Sequence, residues 1–456
     1  MSVDALLQER TQNMADVYNN KIPKRVPINV SLSFTAVADY AKIDRREAYW
    51  NSTLLQPAIE ELCSMIPSDV SLYTPTIYTP ISSQPLDALN RHMSSTGFMQ
   101  HPNTKCMEPE EYGEFTEDPY AFIVEKCIPR IYKALNPETN PARYMFALAQ
   151  EQHMRRIAMM KEAPMLQAIG KKFGYPVTAR GGMGRVPMDW IADQLRSFDG
   201  ICMDVRRNRD KLIAALEASY PMLYKLGLHP GYPDKIDRNA MTGFQLHMAS
   251  YLREKDFLEI WLPTWKRQLT DYASLGMRCF AFLEHNWAPP LLDHMNELPA
   301  GCYFTFEATP AKLMKEKLGK RHVLGGGFPL ENLLLCTKDE VIDKTKEWLD
   351  VMAPGGQYIF GFDKSVLALQ DIKLENLIAV CETVRDYGVY SNAGESTGEV
   401  FNKADYKHSD VPEFTSKYYM SFEQFKEKYP DTPDNAAEIF TDAEDAMLAL
   451  MFAMSC

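Results

Sequence analysis

Between Arg278 and Lys364 the apolar and polar positions fall into one repeated unit. A short apolar run ends at an ionisable or glycine residue, and a segment with helical spacing follows. The first unit runs RCFAFL from Arg278 into Glu284 and His285, then PPLLDHMNEL from Pro289. The next runs CYFTF from Cys302 into Glu307, then AKLMKEKLG from Ala311. A third begins HVLG at His322, enters Gly325, Gly326 and Gly327, and leads to KDEVIDKTKEWLDVM from Lys338. The last runs QYIFGF from Gln357 into Asp363. Strands alternating with helices predict βα units around a parallel sheet, here a (β/α)8 TIM barrel.

Earlier strands are expected in VPINVSLSF from Val26, in DVSLYTPTIYTP from Asp69, at 175–179 and at 244–248. Helical spacing is expected over 4–19, 45–65, 118–135 and 141–174. Residues 85–117 lack periodicity and are read as a long insertion over the barrel top. After Tyr390 the chain turns polar, then ends in an acidic helix with the apolar stretch AMLALMFAM from Ala446. The expected organisation is therefore an N-terminal helical extension at 1–24, the barrel at 25–390 and a C-terminal extension at 391–456. The final helix either docks on its own barrel or contacts a second copy in a homodimer.

Composition narrows the class. A net charge of −12 argues against a nucleic-acid partner, which needs clustered Lys and Arg. No apolar run approaches the roughly 18 residues of a membrane span. The first twenty residues lack a secretory pattern, so the protein is expected to be cytoplasmic. The 9 cysteines are scattered and never form a C-x-x-C pair, which suggests reduced thiols. The stretch RGGMGRVP from Arg180 lacks phosphate-loop spacing and is read as a loop.

The strand ends carry the candidate chemistry, because a barrel builds its active site at the C-terminal ends of its strands. Glu284, His285 and Glu307 are the expected catalytic residues, and His247, Trp287, Phe306 and Phe362 the expected substrate contacts. His285, Glu307 and Asp363 form a nitrogen-and-oxygen donor set suited to Zn²⁺. Each has a plainer account as well: a helix cap, a partner for a neighbouring Lys, or a core aromatic.

Several stretches resemble the uroporphyrinogen decarboxylase superfamily, in particular its corrinoid-dependent methyltransferase branch. They are residues 324–363, 374–390, 107–135 and 187–218, which together span much of 105–390. The resemblance implies a (β/α)8 barrel. It further implies methyl transfer from a small methylated donor, a methoxylated aromatic or a methylated amine, to the cobalamin of a partner corrinoid protein. Two departures limit it. The paired arginines that grip porphyrin carboxylates are absent after Lys24-Arg25, which argues against uroporphyrinogen as substrate. The thiol-methylating members place cysteines where this chain has His285-Asn286-Trp287 and Asp363-Lys364-Ser365. A lyase of another carboxylated substrate and a non-catalytic tetrapyrrole-binding barrel are the alternatives.

Overall fold

A computed structural model describes residues 2–76, 78–138, 141–177, 181–228, 232 and 240–455. The four repeated units form the strands foreseen for them, within an α/β fold. The strands are β1 (Leu32–Ser33), β2 (Tyr73–Thr74), β3 (His92–Met93), β4 (Met99–Gln100), β5 (Met241–Leu246), β6 (Arg278–Leu283), β7 (Tyr303–Phe306), β8 (Val323–Gly326) and β9 (Tyr358–Ile359). Strands β5 to β9 make a parallel sheet in chain order. Helices Leu262–Ser274, Pro289–Met295, Ala311–Leu318 and Lys338–Met352 connect successive strands, as parallel pairing requires. Thr337 and Glu340 close a capping box that starts the last of these.

Parallel pairing continues past both edges of the sheet. Ile28 bridges Phe360, Leu32 bridges Val366, and Met183 bridges Gly243. The Asn29 N–H donates to the Phe360 carbonyl at 2.8 Å, and β1 pairs with β2.

The burial pattern of the strands is inverted relative to a simple two-layer sheet. In β5 to β7 the fully buried side chains Phe244, Leu246, Ala281, Leu283, Phe304 and Phe306 alternate with more open positions: Gln245, Phe282 and Thr305. Period-two alternation places these sets on opposite faces. The covering helices bury one face, while the other borders a hollow. Gly325 belongs to the hollow side, where an added Cβ would stand 2.5 Å from the Tyr303 hydroxyl. Gly325→Ala is expected to displace that phenol and cost about 1–3 kcal/mol, measured by urea unfolding.

Several expectations change in detail. The 26–34 strand shrinks to β1, because Ser33 caps a helix at Phe34–Ala41. Prolines at 75 and 80 break the ladder after β2. The 45–65 helix splits at Asn51 into Arg45–Trp50 and Gln56–Met65. Residues 85–117 contain an unforeseen hairpin, with His92 opposite Gln100 and a turn held by the Ser94 N–H to the Phe98 carbonyl. Tyr175 to Val177 are not in a strand, and the rest of that expected strand, with Arg180, lies outside the described residues. The final helix, Ala437–Met454, buries Leu448 and Phe452, and Phe452 meets Trp190 at 5.4 Å between ring centres. No described helix is long and apolar enough to cross a membrane.

Candidate active site

A cavity of about 460 Å³ opens where β6, β7, β8 and the chain after β9 end. Phe282, Tyr303, Thr305 and Phe362 line it together with Glu284, His285, Glu307 and Asp363. Phe282 and Glu284 share the hollow face of β6 by alternation, as Thr305 and Glu307 do on β7. His285 should then point away. Its φ of +61° turns the chain back, so that both members of the Glu284-His285 pair reach the cavity. A non-glycine residue in this region is uncommon, and such strain is held only by surrounding contacts. Those contacts are present. The His285 N–H donates to Glu307 Oε2 at 2.8 Å, and its Nε2 lies 2.8 Å from the Tyr251 hydroxyl.

Behind Glu284 stands a second imidazole. His247, just past β5, places Nε2 3.3 Å from Glu284 Oε1 and Nδ1 3.5 Å from Asp193 Oδ2. Asp193 comes from a π-helical segment, Ile191–Arg196, a conformation often found at functional positions. The fully buried Asp189 fixes His247 by accepting the backbone N–H groups of His247 and Met248 and the indole N–H of Trp261. Burial, and then the nearby Asp193 charge, push Asp189 up to about 6, opposed by the Met248 N–H. Burial, and then Glu284, push Asp193 up to about 7, opposed by Arg185. Glu284 is raised as well, by burial and by Glu307, against His247 and His285. The site therefore holds carboxyl groups that keep protons toward neutral pH, as a general acid requires.

The chain just past the hairpin comes within electrostatic reach of His247. His101 is held below the ordinary histidine range by burial, by Arg91 and by His247.

Two expected substrate contacts belong elsewhere. Trp287 is fully buried: its ring packs 6.0 Å from Trp261, its indole N–H donates to the Glu284 carbonyl, and its backbone N–H donates to Thr309. It locks the turn after β6 instead of touching substrate. Phe306 lies on the covered face of β7, stacked on Trp348. Phe362 does line the cavity, and His247 reaches it through Glu284.

The expected metal ligands line one cavity, but each already has one donor atom held by another partner. Asp363 Oδ1 accepts the Leu330 N–H at 2.9 Å, Glu307 Oε2 accepts the His285 N–H, and His285 Nε2 meets Tyr251. Among the described residues no group of three or more His, Cys, Asp or Glu is placed to hold a metal ion. The set does not fit zinc as arranged.

No family model matches the chain, and no curated protein matches it.

Asp193 and Tyr251 were missed by motif reading. Asp189 and Asp193 stand four residues apart in PMDWIADQLR, a spacing that sets two acids on one helical face and is the signal that was available. Nothing local marks Tyr251.

Proposed function

We propose that this chain is the methyltransferase that moves a methyl group from a methoxylated aromatic to the Co(I) corrinoid of a separate protein. The row of parallel segments from Met183 through β5 to β9, then β1 and β2, is what a (β/α)8 barrel would need. Closing it between β2 and Met183 would complete the fold that the family resemblance implies.

The observation that carries the reading is Glu284, facing an aromatic-lined cavity with His247 and Asp193 behind it. Breaking a methyl–oxygen bond leaves the electron pair on a phenolic oxygen, and a proton supplied there lowers the barrier. The corrinoid supplies a strong cobalt nucleophile, so no base is required at the methyl acceptor. Phe282 and Phe362 stack on the donor ring, and protonated Glu284 donates to the leaving oxygen. Asp193, through His247, returns a proton to Glu284. Glu307, anchored by the His285 N–H, orients the donor beside Tyr251 at the rim.

A methylated amine is the second reading, favoured by Glu284, Glu307 and Asp363 facing the same cavity as the aromatic rings. Its neutral amine leaves without a proton, so pH separates the two. With a methoxyarene, kcat should fall as pH rises through about 7, because Asp193 then loses the proton it would return. With a quaternary ammonium donor the profile should be flat over that range. A lyase acting on carboxylates is less well supported, because among the described residues lining the cavity Lys364 is the one Lys or Arg.

The test mixes the chain with a reduced corrinoid protein and a panel of donors, following loss of Co(I) absorbance. No conversion with any donor would refute the assignment.

A further inference from the structure

The helix Arg143–Phe173 runs 31 residues and buries only Ala147, Glu151, Met165 and Ile169. At roughly 3.6 residues per turn these four project within about 40° of one another, so a narrow strip rests on the protein and the rest stands proud. On the side away from that strip lie Met145, Phe146, Ile157, Met159 and Met160, between 40% and 74% exposed. Single exposed apolar residues are ordinary, but a set gathered on one helix face marks a contact surface. These side chains spread over about 160° of the circumference, wider than the seam that a single partner helix covers.

The charges on the same helix are one-sided. Arg143, Arg155, Arg156, Lys161, Lys171 and Lys172 are all exposed. The helix carries two acids, and both belong to its packed side: Glu151 is buried, and Glu162 accepts the Tyr73 hydroxyl at 3.2 Å. Arg155 leans on Glu151 at 3.8 Å and Lys172 pairs with Glu60. Among the described residues Arg156, Lys161 and Lys171 form no ion pair, and the positive surplus lies there.

A chain of net charge −12 would be repelled by an anionic surface if all its charges counted equally. They do not, because charges beyond a Debye length of about 8 Å are screened at physiological salt, and the local basic excess decides. Pairing this face with itself would set cation against cation. A broad apolar arc with Lys and Arg and no acid is what a helix presents when it lies in the plane of an anionic bilayer. We infer that this face rests on an anionic lipid surface. Phe146, Ile157 and Met160 enter the boundary below the headgroups, while Arg156, Lys161 and Lys171 stay level with the phosphates on their extended stems. This inference is independent of the proposed catalytic role.

Vesicle flotation tests it. The full-length chain should float with vesicles of equal parts phosphatidylglycerol and phosphatidylcholine, and about tenfold less with phosphatidylcholine alone. Phe146→Ser/Met160→Ser should weaken the partition about tenfold by removing the inserted side chains, and Arg156→Glu/Lys161→Glu by a similar factor through charge. Val400→Ser alters a comparably exposed apolar residue elsewhere, 68% open, and should change nothing. Circular dichroism confirms that each variant is folded. A wild-type chain that does not float would overturn the proposal and leave the face to a protein partner. Equal partition onto both kinds of vesicle would overturn it too, as would a folded Phe146→Ser/Met160→Ser chain that floats like the wild type. A vesicle-free dimer that this variant dissociates would give the face to a second copy instead.

Discussion

Glu284→Gln should lower methyl transfer from a methoxyarene by about 10²–10⁴-fold, the usual worth of one general acid. The amide keeps the shape of the side chain and its place on the hollow face of β6, but it has no acidic proton for a leaving phenoxide. With a quaternary ammonium donor the same variant should bind more weakly, having lost one carboxylate, but transfer the methyl group at nearly the same rate once donor is saturating. Single-turnover decay of Co(I) absorbance measures both. Equal losses with the two donors would mean that Glu284 positions substrate and does not deliver a proton. The variant carries a second signature. Burial, and then the Glu284 charge, hold the Asp193 carboxyl up, so removing that charge should lower the Asp193 pKa in part, read by carbon NMR of labelled aspartate.

Asp204→Ala should cost about 3–5 kcal/mol of stability, because it strands a buried cation. Arg196 and Asp204 are almost wholly enclosed, their side chains 3% and 1% exposed, and they pair at 2.6 Å. Tyr112 donates to the same carboxylate at 2.8 Å, and Asn208 donates at 2.7 Å. Burial alone would raise the Asp204 pKa, but Arg196, Asn208 and Tyr112 outweigh it and hold the group below its ordinary range. A depressed folded pKa stabilises fully above the unfolded value and is lost as pH falls through the folded one. The wild type should therefore shed this contribution in acid, and the variant should show a flatter acid limb. Urea unfolding at neutral and acidic pH checks both statements. Arg196 also ends the π-helical segment that carries Asp193, so the variant should lose activity more steeply than stability as temperature rises.

The strand-end residues were legible because β strands write their two faces into alternate positions. That rule brought Glu284 and Glu307 to one cavity, and it also explains the failures. Phe306 stands at a strand end, yet it is one residue out of phase with Thr305 and Glu307 and so faces the helices. His285 is out of phase with Glu284 too, and only its left-handed backbone returns it to the cavity, which no residue pattern announced. Trp287 follows that turn and serves as its anchor. Asp193 was invisible as a site residue because it arrives from a helix some fifty positions before His247, and only the fold juxtaposes them. The hairpin at 92–100 was unreadable for a different reason: two-residue strands are too short to display a period.

The inverted burial of the central strands has an evolutionary side. The helix-covered face carries the packing that makes the protein stable, while the side chains that line the cavity project from the same backbone into open space. Exchanging Phe282 or Thr305 alters the cavity lining and leaves the helix-packed face in place, so under the proposed function the choice of donor can change at little cost in stability. A lineage of such proteins would keep its outer layers nearly constant and diversify within the hollow.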